Sequence, residues 1–201
     1  MNEIIKIKIS EIDDFKNHPY KVELGDELND LVESIKLNGL LVPIVVRRKE
    51  NDRYELLSGH RRKKVYEILG LEEIDAIIKD LNDDESTIFM VDSNMYREKL
   101  LPSEKAFAYR MKMEAMKHQG KTSCHYDTKL RSDEKLSEKS NDSAGQIQRY
   151  IRLTCLIPEL LEIVDNSRKL KDKPNLTMGL LPALELSFLS KQEQQIVYSV
   201  I

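Results

Sequence analysis

Five consecutive residues, Ser58-Gly59-His60-Arg61-Arg62, carry chemistry suited to phosphate. They lie between a stretch of strand character and one of helical character, so a glycine turn leads into a helix N-terminus. Glycine lets a ligand approach the backbone, the first-turn N–H groups point outward, and two arginines add forked donors for phosphate oxygens. Gly59, His60, Arg61 and Arg62 are therefore candidates for a polyphosphate cradle. The plain alternative is a solvated basic face over Arg61-Arg62-Lys63-Lys64, with His60 an ordinary surface histidine. A second group, Asp92-Ser93-Asn94-Met95-Tyr96-Arg97, ends a helical stretch. Asn94 and Arg97 are three apart, so on a helix they share a face and can reach one ligand.

A third group points to bases rather than phosphates. Ser143 followed by Gln146 is a capping box that opens a helix. Ile147, Tyr150, Ile151 and Thr154 fall on one face, leaving Gln146, Arg149 and Arg152 on the other. Gln pairs with adenine and Arg with guanine or phosphate, so this segment reads as the second helix of a helix-turn-helix over about residues 132–154. Asn141 tolerates the left-handed backbone that the tight turn needs. Ser143, Gln146, Gln148, Arg149 and Arg152 are the DNA-contact candidates. An ordinary αα-hairpin with a polar outer face is the plain alternative. His118, Cys124 and His125 have no second Cys/His pair at ligand spacing, so they do not read as a metal site.

The elements that must position these groups follow from periodicity. Ile5, Ile7 and Ile9 alternate as a half-buried strand, and Leu28, Leu31, Val32 and Ile35 keep helical spacing, with Gly39 as the stop. Val42–Arg47 and Arg53–Leu57 are strands around an Asn51-Asp52 turn, and Arg61–Leu69 is a helix closed by Gly70. Ile74–Ile78 is the last strand. Alternating strands and helices over residues 1–80 predict a compact α/β domain. After Asp80 the strand pattern stops. Asn82 caps a helix towards Tyr96, and Pro102 opens another from Ser103 to about His118. Residues 119–131 are polar and aperiodic, which predicts a loop. Helices are expected at 133–139, 143–155 and 158–165, a second loop at 166–176, and helical segments near 178–189 and 191–201. The sequence stops in the apolar run Ile196-Val-Tyr-Ser-Val-Ile201, which points to a truncation or a further C-terminal domain.

At 201 residues, 40% hydrophobic and 33% charged, the chain suits one large or two small globular domains. No apolar stretch approaches the roughly 20 residues of a membrane span, and two cysteines make no disulfide framework. Membrane and secreted classes are excluded on these grounds. A net charge of −3 hides blocks of opposite sign. Residues 44–66 hold eight Lys or Arg against three acids, residues 67–100 three against ten, and residues 110–152 ten against six. Such local basic surfaces leave nucleic acid open as a partner.

In combination the motifs resemble the ParB family of DNA-partition proteins. That family has a glycine followed by a Pro-Ile-x-Val strand, a Gly-Glu-Arg-Arg motif, and a Glu-Asn-x-x-Arg motif with a following Leu-x-Pro-x-Glu. The present sequence has Gly39-Leu-Leu-Val-Pro43-Ile-Val-Val46, Gly59-His-Arg-Arg62, and Ser93-Asn-Met-Tyr-Arg97 with Leu100-Leu-Pro-Ser-Glu104, in the same order. The resemblance covers about residues 4–165. It implies an α+β fold: a small mixed α/β ParB/sulfiredoxin-like N-terminal domain over residues 1–100, then an all-α helix-turn-helix domain over 101–201.

The same resemblance implies CTP and Mg²⁺ as cofactors. Gly59, His60, Arg61, Arg62, Asn94 and Arg97 stand at the nucleotide positions, with Asn94 also at the metal. The implied partners are a specific double-stranded DNA site, a ParA-type ATPase and a second copy of the chain, in a cytoplasmic, nucleoid- or plasmid-associated setting. Three departures bear on chemistry. His60 and Ser93 stand where the family has glutamates, and Val22-Glu23 replaces the usual Pro-Arg. An imidazole and a hydroxyl do not substitute for two anions beside Mg²⁺. Nucleotide binding with weak or absent hydrolysis is therefore expected.

The leading function is sequence-specific DNA binding in plasmid, chromosome or mobile-element partition, with CTP as a clamp control. One alternative is a transcription regulator or accessory protein without nucleotide turnover. Another is a ParB-like nuclease, which needs clustered metal-binding carboxylates. Asp83, Asp84, Glu85 and Asp92 read instead as a solvated helix start. Sulfiredoxin chemistry needs a cysteine where Ser58-Gly59-His60-Arg61 has none.

Overall fold

The computed structural model describes residues 3–22, 25–95, 97, 100–122, 136–137, 140, 142–170 and 177–200. The fold is α+β, and it divides into two compact units, Met1–Asn94 and Met95–Ile201.

The first unit is a five-stranded sheet with helices. Its strands are β1 (Ile4–Lys8), β2 (Ile12–Asp13), β3 (Ile44–Arg48), β4 (Tyr54–Ser58) and β5 (Glu73–Ile78), in the order β1-β5-β3-β4-β2. β1 runs antiparallel to β5 and β3 antiparallel to β4, while β3–β5 and β2–β4 are parallel. The Ile alternation is real but shorter than its pattern. Ile9–Glu11 forms a single 3₁₀ turn before β2. Helices α1 (Asp26–Asn38), α2 (His60–Leu69) and α3 (Asp83–Met95) complete the unit.

Apolar spacing explains how these elements meet. Leu28 and Ile35 of α1, Val65 and Tyr66 of α2, and Ile44, Val46, Leu56, Ile74 and Ala76 of the sheet share one core. Gly39 and Gly70 end α1 and α2 with φ of 70° and 65°, a region glycine enters without a Cβ penalty. Asn82 caps α3 reciprocally with Glu85: Glu85 N–H donates to Asn82 Oδ1 at 2.9 Å and Asn82 N–H to Glu85 Oε2 at 3.0 Å. Directly opposite each other on β3 and β4, Arg47 and Glu55 form a buried pair, Nε to Oε2 at 2.7 Å. Arg47 also reaches Asp83 at 2.6 Å, joining the sheet to the start of α3. The Arg47 guanidinium holds the Asp83 carboxyl below its ordinary range.

The second unit is helical: α4 (Pro102–Thr122), α5 (Ala144–Leu153), α6 (Pro158–Lys169), α7 (Leu180–Leu186) and α8 (Lys191–Tyr198). Leu153, Leu156, Leu160, Leu161 and Val164 pack with Ala106 of α4 and Ala183 of α7. A second cluster joins Tyr109, Met113, Leu136 and Ile147. Asp165 of α6 accepts from the Ser103 backbone N–H at 2.9 Å and hydroxyl at 2.6 Å, capping α4 from another element.

Two predicted loops begin later than expected. α4 continues through 119–122, and α6 continues to Lys169, whose last turn carries Arg168 and Lys169 beside the free carbonyls. Residues 123–131 and 171–176 of these loops lie outside the described residues, with Glu23, Asn141 and most of the expected 133–139 helix; Cys124 and His125 fall in the first of these stretches. Among the described residues no helix is long and apolar enough to cross a membrane.

Candidate functional site

α5 is strongly amphipathic, and its faces meet different surroundings. Ile147 and Leu153 are fully buried, and they fix the roll of the helix. Ser143, Gln146, Gln148 and Arg149 are exposed. The capping box is present: Gln146 N–H donates to Ser143 Oγ at 3.3 Å, and Ser143 N–H donates to Gln146 Oε1 at 3.0 Å. Gln146 Oε1 is thus engaged at the helix start, while its amide nitrogen stays on the exposed face. Arg149 projects from the next turn.

Arg152 behaves differently from the outward face assigned to it. Its Nε donates to Ser187 Oγ at 3.1 Å and a terminal nitrogen to Ser187 O at 3.0 Å, with the guanidinium 4.3 Å from the Phe188 ring centre. The cause is helical geometry. At about 100° per residue, each step of three drifts by roughly 60°. From Gln146 through Arg149 to Arg152 the drift carries the last residue round towards the residues that end α7. Arg152 is half-buried there as a cross-link between helices.

The entrance of α5 is held by α4, through residues the sequence did not single out. Asp142, one residue before the cap, accepts from Lys105 Nζ at 2.8 Å and from the Tyr109 hydroxyl at 2.6 Å. Burial first, and then the hydrogen bond to Asp142, push the Tyr109 phenol above its ordinary range, so it remains a donor. The available signal was weak: Lys105 and Tyr109 are four apart on α4, and an acid precedes a cap.

In the first unit, Gly59 takes φ 107° and starts α2 without a side-chain cap. A Cβ there would meet Ile44 Cγ2 at 2.7 Å and the Arg62 guanidinium at 3.1 Å. Glycine is thus required by backbone conformation and internal packing before any ligand is considered. Arg62 donates to the carbonyls of Val42 and Pro43 at 2.5 and 2.6 Å, so it ties the Leu-Leu-Val-Pro segment to α2. Arg61 pairs with Glu27 of α1 at 3.1 Å, with both side chains partly solvated. His60 is buried, contrary to a surface histidine, and stacks on His18 with ring centres 3.6 Å apart. His18 Nδ1 lies 2.8 Å from Tyr20 O, which anchors the stack to the segment before α1.

Asn94 is buried near the end of α3, and its amide nitrogen donates to Met90 O at 2.8 Å and Ser93 Oγ at 3.2 Å. Ser93 turns its hydroxyl onto Met90 O at 2.9 Å. An amide and a hydroxyl turned onto their own helix, with an imidazole at His60, do not fit a hard dication that takes anionic oxygens. Arg97 is exposed and belongs to the second unit. Among the described residues no three or more His, Cys, Asp or Glu converge in a way that would hold a metal ion.

Residues 1–95, the sheet unit with its Gly59 turn and Asn94 helix, match the ParB N-terminal domain family. These residues form a ParB N-terminal domain. A nucleoid occlusion protein of Listeria innocua is 30% identical over 165 residues, covering 82% of this chain and 54% of that protein. The nucleoid occlusion protein of Oceanobacillus iheyensis is 35% identical over 114 residues, 56% of this chain and 40% of its own. The aligned stretch is about half the length of these curated relatives. Among solved structures, a pNOB8-like ParB N-domain aligns with TM-score 0.55 at 17% identity, over 94% of this chain and 82% of that one. The C-terminally truncated chromosome-partitioning ParB of Caulobacter crescentus, complexed to the centromeric parS site, aligns with TM-score 0.54 at 19% identity, over 98% and 100%. At these identities the likeness is one of ParB fold.

Proposed function

We propose that this chain binds a specific double-stranded DNA site and reads it with α5. One observation carries the reading: a capped helix is anchored by Ile147 and Leu153, and its exposed face presents Gln148 and Arg149 beside Ser143 and Gln146. A helix of this make-up enters a major groove, where Arg matches guanine bidentately and the hydroxyl and N–H groups at the helix start suit phosphate. The parS complex of the Caulobacter protein, which has the same fold, agrees with DNA as the partner. The proposed setting is DNA partition or nucleoid occlusion, as the names of its relatives suggest, with a ParA-type ATPase and a second copy of the chain as further partners. Selection of bound duplexes from a random library tests the reading. Enrichment of one motif is expected, and recovery of an unenriched pool would overturn it.

The basic residues of 110–152 should also make binding salt-dependent. Each phosphate contact steepens the log-affinity against log-salt slope by about 0.9, so several contacts predict a slope of roughly −3 or steeper. Titration of the selected duplex between low and physiological salt checks this. A flat slope would remove phosphate contact from the account.

A second reading concerns the α2 turn. We infer that Gly59, His60, Arg61, Arg62 and Asn94 of the first unit belong to the family's nucleotide site, with CTP as ligand. The support is local: the first turn of α2 has no side-chain cap, so its N–H groups suit an anion, and Arg61 already engages a carboxylate that a phosphate would replace. Arg62 serves that site as a loop clamp. Binding of CTP without appreciable turnover is the expected result, because His60 and Ser93 supply no carboxylates. Titration calorimetry reads binding and phosphate release with cognate DNA reads turnover. Robust turnover would overturn the second statement, and no heat at millimolar CTP the first.

A further inference from the structure

The residues that read DNA must be held within about half an ångström and 10–20° of productive geometry, so whatever aims α5 matters as much as what it carries. Ile147 and Leu153 are apolar, and their contacts are non-directional. They bury the helix without fixing how its N-terminal end points. At the far end Arg152 is held by Ser187, and at the N-terminal end the directional contacts come from one face of α4. Lys105 and Tyr109, four residues apart, converge on the same oxygen, Asp142 Oδ2, at 2.8 and 2.6 Å. The side chains of Lys105 and Asp142 are only 19% and 13% exposed, so their attraction is less screened than that of a surface pair. Ser140 Oγ donates to Asp142 O at 3.1 Å and braces the turn itself.

The same lysine makes a second attachment further along. Its Nζ lies 5.0 Å from the centre of the Tyr150 ring, next in sequence to Arg149, and Tyr150 also faces Tyr109 with ring centres 6.1 Å apart. α4 therefore grips α5 at its entrance and near its middle. Two separated points fix the direction of a rod where one point would let it pivot.

We propose that Asp142, gripped by Lys105 and Tyr109, is a positioning residue that aims Arg149 at the base it reads. The inference rests on the assignment of α5 as the reading helix and deepens it. Phosphate contacts tolerate small tilts because they depend on charge more than on angle, whereas a bidentate base contact does not. Loss of the grip should reduce discrimination between sites while leaving salt-driven, sequence-independent binding in place.

The test uses the full chain, the duplex enriched by selection, and a scrambled duplex of equal length. Asp142→Ala, Asp142→Asn and Tyr109→Phe are each made with and without Arg149→Ala, and folding is checked by circular dichroism at the assay temperature. Asp142→Ala is expected to lower the ratio of specific to scrambled affinity about tenfold. Asp142→Asn should recover part of it, because the amide carbonyl still accepts from Tyr109 while Lys105 loses its counter-charge. In the Asp142→Ala background, adding Arg149→Ala should have little further effect, a coupling that simple loss of stability does not produce. A folded Asp142→Ala with an unchanged ratio, or an Arg149→Ala effect of full size in that background, overturns the proposal alone. A wild-type chain that enriches no sequence overturns the assignment of α5 and the proposal with it. If Asp142→Ala melts below the assay temperature, Tyr109→Phe keeps the Lys105–Asp142 pair and must show the same loss in smaller measure.

Discussion

Gln194→Ala should destabilise the helical unit by about 2–4 kcal/mol, the cost of leaving buried polar groups without partners. Gln194 is fully buried in α8. Its Oε1 accepts from the Ile157 N–H at 2.8 Å, and its Nε2 donates to Leu189 O at 3.0 Å and Cys155 O at 3.2 Å. One side chain thus satisfies the turn before α6 and the turn before α8. Cys155 O keeps a second donor in Lys191 Nζ at 2.7 Å, so the cost falls on the Ile157 N–H and the Leu189 carbonyl. Urea unfolding should show a lower midpoint at unchanged slope. The neighbouring Gln195→Ala, on the exposed face, should stay within about 0.5 kcal/mol of the parent. Equal midpoints for Gln194→Ala and the parent would mean that water takes over both groups.

Arg149→Ala is expected to weaken binding to the selected duplex by about 1–3 kcal/mol and to broaden the motif at one position. Arg149 is exposed on α5, so its truncation should leave thermal stability nearly unchanged. Arg152→Ala makes the contrast. Arg152 is held by Ser187 and the Phe188 ring, so its loss should lower stability and leave the selected motif intact. Parallel selections with the two variants separate these outcomes. A narrowed or shifted motif from Arg152→Ala, with none from Arg149→Ala, would exchange the two roles.

Those two arginines show where sequence reasoning reaches its limit. Both are three-residue steps along a polar stripe, and nothing local distinguishes them. The residues ending α7 decide the matter by reaching one and not the other. Gln194 and Gln195 pose the same problem, since only the turns at Ile157 and Leu189 mark the first as buried. The plain alternative for His60, a surface residue among basic neighbours, fails: it is buried at the start of α2, its ring stacked on His18, more than forty positions earlier. Gly59 suggested a ligand cradle, and the Cβ clash with Ile44 shows an internal reason for it.

Features formed within three or four residues were legible from sequence. The Asn82–Glu85 and Ser143–Gln146 caps, the Gly39 and Gly70 stops, the β3–β4 hairpin and the burial of Ile147 on α5 all arise from local geometry and a periodic apolar pattern, whereas the burial of Leu153, outside the expected apolar face, does not. The motif order that marks the ParB family is likewise linear. Tertiary structure alone decided which polar side chains were consumed internally: Arg62 by the Val42 and Pro43 carbonyls, Arg152 by Ser187, and Asp142 by Lys105 and Tyr109. The reason is physical. An apolar side chain needs only a core, and periodicity shows where that core must lie. A polar side chain near a core needs a particular partner at hydrogen-bond distance, and no local pattern shows which distant atom will be there.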